Sequence, residues 1–409
     1  MKKKILFIEA NTTGTGMLAI RKAVSLGYEP VFITRNPSTY AGLTEMNCRV
    51  IVADTNAVES IAMCVEEENP ALVSGVMTTS DYYLEATAQI AEQLGLRSNT
   101  RETIAVCRNK ARLREVLHGG KVGQPQFQVI TSANQLVEID ASFPLPCVVK
   151  PADDSGSNHV RLCTTWSEVE ELTVQILANQ TNARGQETAH TVLLEQYVEG
   201  HEYSVEMFTW QGESTCLGIT EKRVTGFPYF VESGHLFSAK LPPFIEQEII
   251  DTVNCALQTV GYQYGASHTE VKWTGERCVL IEINARLAGG MIPELVRHAT
   301  GIDLLEQQLL CALGVAPVLD EIERKDHAGI HFLIAKENGT LTDVSGLEEV
   351  RRIPGFKELA VKARVGQSVQ LPQNFSHRLG HVIVTGPTYE ETVRRLKEVE
   401  QLLELQVHI

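Results

Sequence analysis

The sequence predicts an α/β protein that begins with a doubly wound parallel sheet and continues into a mostly antiparallel part. In the first hundred residues, short apolar runs alternate with helical patterns, which is typical of parallel strands joined by crossover helices. Beyond residue 196, alternating strand patterns dominate, which we interpret as a mostly antiparallel set. The predicted N-terminal strands cover 5–9, 30–34, 50–53 and 72–77, and the helices cover 17–27, 57–68 and 82–94.

Composition argues against several classes of partner. The 409 residues are 43% hydrophobic and 21% charged, as in an ordinary globular protein. The net charge of −15 argues against nucleic acids and anionic membranes, since both need a basic surface. No apolar run approaches the ~18 residues of a membrane span, and residues 1–9 predict a strand rather than a signal peptide. Nine scattered cysteines without a C-x-x-C pair favour a reducing, cytoplasmic compartment.

The first turn, residues 11–17, carries two glycines and is similar to a phosphate-cradling loop at a helix N-terminus. The third glycine of a dinucleotide-binding fingerprint is missing. We therefore interpret this segment as a structural or substrate-lining turn rather than a site for NAD.

A basic helical segment over 101–123 ends near two glycines and a proline, which indicates a linker into a new lobe. Strands dominate the next seventy residues, and the polar segment 180–190 is expected to be a mobile surface loop. Further helices are predicted over 246–260, 292–312 and 388–405. The predicted domains are 1–100, 101–195 and 196–409.

Polar side chains interrupt an apolar strand in the stretch VLIEINARLAGG. Because alternate side chains share a face of a strand, Glu282, Asn284 and Arg286 should point one way. The intervening apolar residues, beginning with Ile281, should point into the core. The upstream strand HTEVKW and the turn between the two strands predict a hairpin that sets Glu270 beside Glu282.

This hairpin carries the elements of a phosphate site. Two neighbouring carboxylates and an amide oxygen are ligands that suit Mg²⁺. Arg286 could bind a phosphate through two hydrogen bonds, and Gly289 and Gly290 could offer backbone N–H groups to an oxyanion. Spacing alone leaves a metal site and a solvated hairpin equally open.

Two further motifs are weaker. Lys150 ends the apolar strand VVKP, and the small polar loop ADDSGSNHV that follows could fold over phosphates. The alternative is a strand that ends in a polar turn with a snorkelling lysine. The stretch LLEQYVEGHEYSVE has the pattern of a hinge between lobes, in which Glu195 and Glu202 are either ligand contacts or charged turn residues.

Taken together and in order, these motifs resemble the ATP-grasp superfamily of carboxylate–amine ligases. The matching segments are Asn109-Lys110, VVKP with its Ser-Gly-Ser loop, LLEQYVEGHEYSVE, HTEVKW and LIEINARLAGG. The resemblance covers nearly the whole chain. It implies the ATP-grasp fold, with an N-terminal doubly wound parallel-sheet domain, a small β-rich nucleotide lobe and a larger antiparallel-sheet C-terminal lobe.

The resemblance also implies ATP and Mg²⁺ as cofactors, with two metal ions and with Mn²⁺ as an alternative. Lys110 and Lys150 would contact the ATP phosphates, and Arg286 matches the residue that stabilises the transferred phosphoryl group. The implied metal ligands are Glu270, Glu282 and Asn284. The implied nucleotide contacts are Lys110, Lys150, the closing loop with Ser155, Gly156 and Ser157, the adenine contacts Glu195, Gln196, Tyr197 and Val198, and the ribose contact Glu202.

Within this superfamily, PYFVESGHL and the two glycines of LAGG are most similar to L-amino acid ligases, which join two unprotected amino acids into a dipeptide. That similarity implies that Glu232 and His235 lie near the substrate ammonium and the reacting carboxylate. The alternative is that both are surface residues of a loop rich in glycine and proline. The implied substrate contacts are Glu232, His235 and Arg286, and the implied catalytic residues are Arg286, Gly289, Gly290 and His235.

Three questions stay open at this point. The tail over 376–403 also resembles the biotin-carboxylase branch, although the loop after Lys150 lacks the longer glycine run of that branch. A non-catalytic nucleotide-binding protein is the second alternative.

Acidic residues such as Asp81, Glu85 and Glu232 would suit a cationic first amino acid, and the chain is similar to arginine-specific ligases. The expected partners are small amino acids, and the resemblance also allows a homodimer.

Overall fold

The computed structural model describes residues 2–12, 16–139, 143–319 and 326–408. It confirms the predicted α/β class, with one parallel sheet followed by antiparallel sheets. The predicted first turn falls partly on residues 13–15, which lie outside the described residues. Within those four ranges, no helix is both long and apolar enough to cross a bilayer.

The first part of the chain forms a four-stranded parallel sheet with three helices. Its strands are β1 (Lys4–Ile8), β2 (Glu29–Thr34), β3 (Arg49–Val52) and β4 (Val73–Met77), and its helices are α1 (Gly16–Ser25), α2 (Val58–Glu67) and α3 (Leu84–Gln93). The order is β3-β2-β1-β4. Most side chains of β1, β2 and β4 are buried, as expected for a parallel sheet covered by helices. Because the strands are parallel, their carboxyl ends meet at one edge of the sheet.

Two short helices connect this sheet to the next one, as the basic segment predicted. They are α4 (Arg101–Arg108) and α5 (Lys110–Leu117). Asn109 ends α4 and caps α5, since its side chain accepts a hydrogen bond from the Arg112 N–H at 3.1 Å. The Lys110 N–H donates to the Ala152 carbonyl at 2.7 Å. This bond holds the start of α5 against the loop that follows Lys150.

The second sheet is antiparallel, in the order β5-β8-β6-β7. Its elements are β5 (Phe127–Ile130), β6 (Cys147–Pro151), β7 (Arg161–Cys163), α6 (Trp166–Ala178) and β8 (Val192–Gln196). The segment 180–190, expected to be a mobile surface loop, lies at the surface and also contacts the parallel-sheet part of the chain. Arg184 donates to the Ala10 carbonyl at 3.0 Å and Gln186 donates to the Tyr82 carbonyl at 2.9 Å. Its polar side chains therefore serve as contacts between two sheets.

The third part contains an eight-stranded antiparallel sheet in the order β13-β12-β9-β10-β11-β14-β18-β16, and a small sheet in the order β17-β15-β19. The elements are β9 (His201–Trp210), β10 (Glu213–Thr225), β11 (Val231–Phe237), α7 (Pro243–Thr259), β12 (Tyr264–Trp273), β13 (Cys278–Asn284), α8 (Ile292–Thr300), α9 (Leu304–Ala312), β14 (His327–Leu333), β15 (Gly339–Ser345), α10 (Leu347–Arg351), β16 (Phe356–Val361), β17 (Ser368–Val369), β18 (Gly380–Gly386), α11 (Tyr389–Leu402) and β19 (Glu404–His408). The expected single helix over 292–312 is two helices, because Gly301 takes a positive φ of 82° and ends α8. The domain boundaries at 100 and 195 stay a proposal.

The two faces of the large sheet differ in character. On β9, Val205 and Met207 pack in one apolar cluster with α7, while Phe208 packs on the other side with α8. Toward the start of β9, that second face changes from apolar to polar, with Glu206, Ser204 and Glu202. These three residues and the polar residues beside them on the neighbouring strands form the polar floor of the candidate site.

Candidate active site

The predicted hairpin is present. Strands β12 and β13 pair with Glu270 opposite Glu282 and with His268 opposite Asn284. The prediction that Ile281 points into the core is wrong, because the register shifts by one residue between Glu270 and Val271. This bulge leaves Ile281 half-buried while the two carboxylates stay side by side.

Lys110 joins the hairpin to the linker helices and to the small sheet. Its Nζ lies 3.1 Å from the Glu282 carboxylate and donates to the Asp154 carbonyl at 2.9 Å. Lys110 therefore lies between the predicted metal ligand Glu282 and the loop that is predicted to close over the phosphates. The Lys110 ammonium shows that the position beside the Glu282 carboxylate attracts positive charge.

The loop after Lys150 lies against two distant segments. Arg108 donates to the Ser155 hydroxyl and to the Asp153 carbonyl, each at 3.0 Å. Gly156 has a positive φ of 75°, and a Cβ there would lie 2.1 Å from the Phe375 ring. Glycine is therefore required by both backbone conformation and space. In this structure the loop is closed against the C-terminal part of the chain.

Lys150 and Glu195 form a buried ion triad with Arg114, which the sequence analysis missed. Glu195 lies 2.6 Å from Lys150 Nζ and 2.7 Å from Arg114 Nε. Arg114 also donates to the Ile281 carbonyl at 2.7 Å, and its Nη1 is buried with no hydrogen-bond partner in the described parts of the chain. Burial alone would raise the pKa of Glu195, but Arg114 and Lys150 outweigh it and lower that pKa. The sequence did carry one signal for Arg114. It lies four residues after Lys110 and therefore on the same face of α5.

Residues 196–198 line an open cleft of about 380 Å³. Proline residues 144 and 146 and Arg277 line its other sides. The backbone around Val198 is held by Lys272, whose Nζ donates to the Val198 carbonyl at 3.1 Å and lies 4.7 Å from the Tyr197 ring centroid. The predicted adenine contacts Gln196, Tyr197 and Val198 are thus next to a cleft between the two sheets.

Lys222 lies at the centre of the polar floor. Its ammonium contacts one oxygen each of Glu202, Glu232 and Glu270, at 3.2, 2.7 and 2.8 Å. Burial alone would lower the pKa of Lys222, but the three carboxylates raise it well above its usual value. No sequence motif singled out Lys222, which lies near the end of β10.

Glu232 and His235 lie together on β11. Arg378 contacts the Glu232 carboxylate, and its guanidinium carbon lies 3.9 Å from the Phe332 ring centroid. His235 is 1% exposed, and neither ring nitrogen has a hydrogen-bond partner among the described residues. A Cβ on Gly290 would lie 2.6 Å from His235 Nε2. Gly290 therefore packs directly against the buried imidazole, whose Nε2 also lies 3.6 Å from the Glu232 carboxylate.

The buried imidazole of His235 makes stability depend on pH. Burial lowers its pKa from 6.5 to about 3. Between these values the unfolded chain binds the proton and the folded chain does not, so stability should fall as pH drops from 6.5 toward 3. Urea unfolding of a His235→Asn variant should show a flatter pH dependence in this window than the unchanged protein. Replacing the exposed His118 is the control, and an unchanged slope in His235→Asn would contradict the assignment.

Arg286 is paired with a residue of the first sheet. Its Nε lies 2.5 Å from the Asp81 carboxylate in the loop after β4, and Arg108 lies 3.8 Å from the same oxygen. Burial alone would raise the pKa of Asp81, but Arg286 and Arg108 lower it to about 2. Asp81 was expected to suit a cationic substrate. Its carboxylate instead holds the guanidinium of Arg286, and Glu85 faces Arg101 at 4.0 Å.

The predicted metal ligands suit Mg²⁺ by chemistry and position. Glu270 and Glu282 are cross-strand neighbours, and Asn284 follows on the same strand. In the described ranges, no three His, Cys, Asp or Glu side chains converge on a metal position by themselves. Mg²⁺ is commonly held by one or two carboxylates together with substrate phosphates. Glu270, Glu282 and Asn284 would therefore hold the ion when a nucleotide completes its coordination.

Two known domain families match the chain. The ATP-grasp domain matches residues 143–294, and L-amino acid ligase C-terminal domain 2 matches residues 331–408. Dapdiamide A synthase of Enterobacter agglomerans is 27% identical over 375 residues, covering 87% of this chain and 85% of that protein. The L-arginine-specific L-amino acid ligase of Bacillus subtilis is 19% identical over 353 residues, covering 86% and 84%.

Carnosine synthase 1 of Mus musculus is 24% identical over 342 residues, which cover 79% of this chain but only 41% of that longer protein. Among solved structures, L-amino acid ligase from Bacillus licheniformis aligns over 100% of both chains with a TM-score of 0.82 and 23% identity. A biotin carboxylase domain from Hydrogenobacter thermophilus, solved with MgADP, aligns over 100% of this chain and 91% of that chain, with a TM-score of 0.73 and 18% identity.

The fold is the ATP-grasp fold, and the chain is therefore an ATP-grasp enzyme, one of the ATP-dependent ligases that form C–N bonds. Its C-terminal part matches a domain described from L-amino acid ligases. The chain thus carries an ATP-grasp domain together with an L-amino acid ligase C-terminal domain.

Proposed function

We propose that this enzyme joins two unprotected L-amino acids into a dipeptide through an aminoacyl phosphate and releases ADP and phosphate. The observation that carries the proposal is the convergence of three groups on one polar floor. Lys110 contacts the predicted metal ligand Glu282, Arg286 lies beside them, and the buried His235 packs against Gly290 and lies 3.6 Å from Glu232. Phosphate, metal and amino acid contacts would thus share one site.

In the first step, the carboxylate of one amino acid attacks the γ-phosphorus of ATP, and ADP leaves. Lys110, Lys150 and Arg286 would bind the charged phosphoryl oxygens, while Glu270, Glu282 and Asn284 would hold two Mg²⁺ or Mn²⁺ ions. A bound metal ion would neutralise negative charge on the phosphates. Positioning and electrostatic stabilisation would account for most of the rate enhancement.

In the second step, the free amine of the other amino acid attacks the acyl carbon, and phosphate leaves. Arg286 and a backbone N–H of Gly289 or Gly290 would stabilise the tetrahedral oxyanion. Glu232 would orient an ammonium group and His235 the reacting carboxylate. The loop with Ser155, Gly156 and Ser157 would exclude water from the acyl phosphate.

Arginine is our candidate for the first amino acid, supported by the 19% identical relative named as an arginine-specific ligase. The acidic residues that suggested it are already paired with cations. Glu232 contacts Lys222 and Arg378, and Asp81 contacts Arg286. A cationic side chain would therefore need to displace one of these groups or bind elsewhere.

Phosphate release from ATP and Mg²⁺, with the twenty amino acids offered singly and in pairs, tests the proposal. Release that requires two amino acids, with ADP and a dipeptide found by mass spectrometry, is the expected result, and the pair with the fastest release identifies the substrates. Release with bicarbonate alone would move the chain to a carboxylase-like reaction. Absence of release with every addition would favour a nucleotide-binding protein without catalysis.

A further inference from the structure

One lysine contacts three acidic side chains that come from three different strands. Lys222 lies on β10, its side chain is 2% exposed, and its ammonium carries three N–H donors. Glu202 lies on β9, Glu232 on β11 and Glu270 on β12, and each places one oxygen within 3.2 Å of Lys222 Nζ. The geometry provides one donor for each carboxylate.

These three carboxylates have different ligands in the proposed function. Glu202 would bind the ribose, Glu270 the metal and Glu232 the amino acid. Without a cation between them, three carboxylates this close would repel one another and move apart. Their spacing therefore depends on the group at the centre.

We propose that Lys222 is a positioning residue that sets the spacing of the ribose, metal and amino acid ligands and so couples the binding of all three. This inference rests on the proposed function. Lys222 itself need not touch any reacting atom, because its effect passes through the carboxylates that it holds.

The remaining contacts predict which ligand depends most on Lys222. Without the lysine, Glu232 would keep Arg378, and Glu270 would keep His268 at 3.3 Å. For Glu202, Lys222 is the one ion-pair partner within the described parts of the chain. The affinity for ATP should therefore be weakened more than the affinity for the amino acid.

The test compares Lys222→Met with the unchanged enzyme by the KM for ATP, the KM for each amino acid and the Mg²⁺ concentration for half-maximal rate. All three should rise, the KM for ATP by about tenfold or more, and a Lys222→Arg variant should give intermediate values. Lys4→Met is the matched control, since Lys4 forms a buried ion pair with Glu68 at 2.7 Å at the far edge of the parallel sheet. It should lower the melting temperature and leave the three constants unchanged.

Unchanged constants in Lys222→Met, with a lower melting temperature as in Lys4→Met, would overturn the inference and leave a purely structural ion cluster. If Lys222→Met does not fold, the neutral Lys222→Gln variant takes its place, and unchanged constants in that variant would overturn the inference equally. Calorimetric titration with MgATP separates this inference from the proposed function. A wild-type protein that binds MgATP without making a dipeptide refutes the proposed function, while the affinity of the Lys222 variants for MgATP still tests the role of Lys222.

Discussion

Replacing Arg286 with alanine should lower the rate of amino-acid-dependent phosphate release by about 10²–10³-fold, the usual cost of losing a transition-state donor. The affinity for ATP should change far less, because Lys110 and Lys150 remain as phosphate contacts. Single-turnover rates and equilibrium ATP binding on the same preparation would separate these two effects. A variant that keeps its rate would contradict the assignment.

The ion pair with Asp81 complicates this variant and offers its control. Arg286→Ala removes the nearest cation from the buried Asp81 carboxylate and leaves the more distant Arg108, which should destabilise the fold. The double variant Arg286→Ala with Asp81→Asn removes that charge and should recover stability without recovering rate. Asp81→Asn alone should keep part of the rate, since the guanidinium is present but less firmly held. Recovery of rate in the double variant would show that the loss came from misfolding.

Replacing Glu282 with glutamine should raise the Mg²⁺ concentration needed for half-maximal phosphate release by about 10–100-fold. Glutamine keeps the size of the side chain but removes the charge that a hard cation requires. A magnesium titration of the rate, at saturating ATP and amino acids, measures the change. The matched control is Glu276→Gln in the exposed turn of the same hairpin.

The control variant should need the same Mg²⁺ concentration as the unchanged enzyme. If Glu282→Gln also does, Glu282 is not a metal ligand, and its role is limited to the ion pair with Lys110 at 3.1 Å. Excess Mg²⁺ should restore part of the rate of Glu282→Gln, because Glu270 and Asn284 remain. A loss that Mg²⁺ cannot relieve would instead indicate a disturbed position of Lys110.

The hairpin with Glu270 and Glu282 could be predicted because both of its causes are local. Alternation assigns each side chain to a face, and a short turn joins the strands. The bulge at Ile281 could not be predicted, since it depends on how β12 pairs with β13. The role of Lys222 near the end of β10 could not be predicted for a similar reason. Strand β11 pairs with the last residues of β10 and extends that strand beyond the apolar run.

The partners of the site residues could not be predicted from local patterns. Arg286 pairs with Asp81 across 205 positions, and Arg378 reaches Glu232 across 146. Nothing in the local sequence around Asp81 or Glu232 indicates that either carboxylate is paired with a cation. Their actual neighbours are cations that only the packing of separate sheets brings near them, and this changes what a cationic substrate would meet.

The sequence by itself determined the α/β class, the order of the motifs and the residue types that suit phosphate and Mg²⁺. These features follow from the period of apolar residues and from the chemistry of single side chains. The tertiary structure decided which charges meet: Lys222 with three carboxylates, Arg114 with Glu195, and Arg286 with Asp81. Burial makes such pairings necessary, because an unpaired charge inside the protein is too costly to keep. Which partner satisfies each charge is therefore set by the three-dimensional arrangement of strands that are distant in the chain.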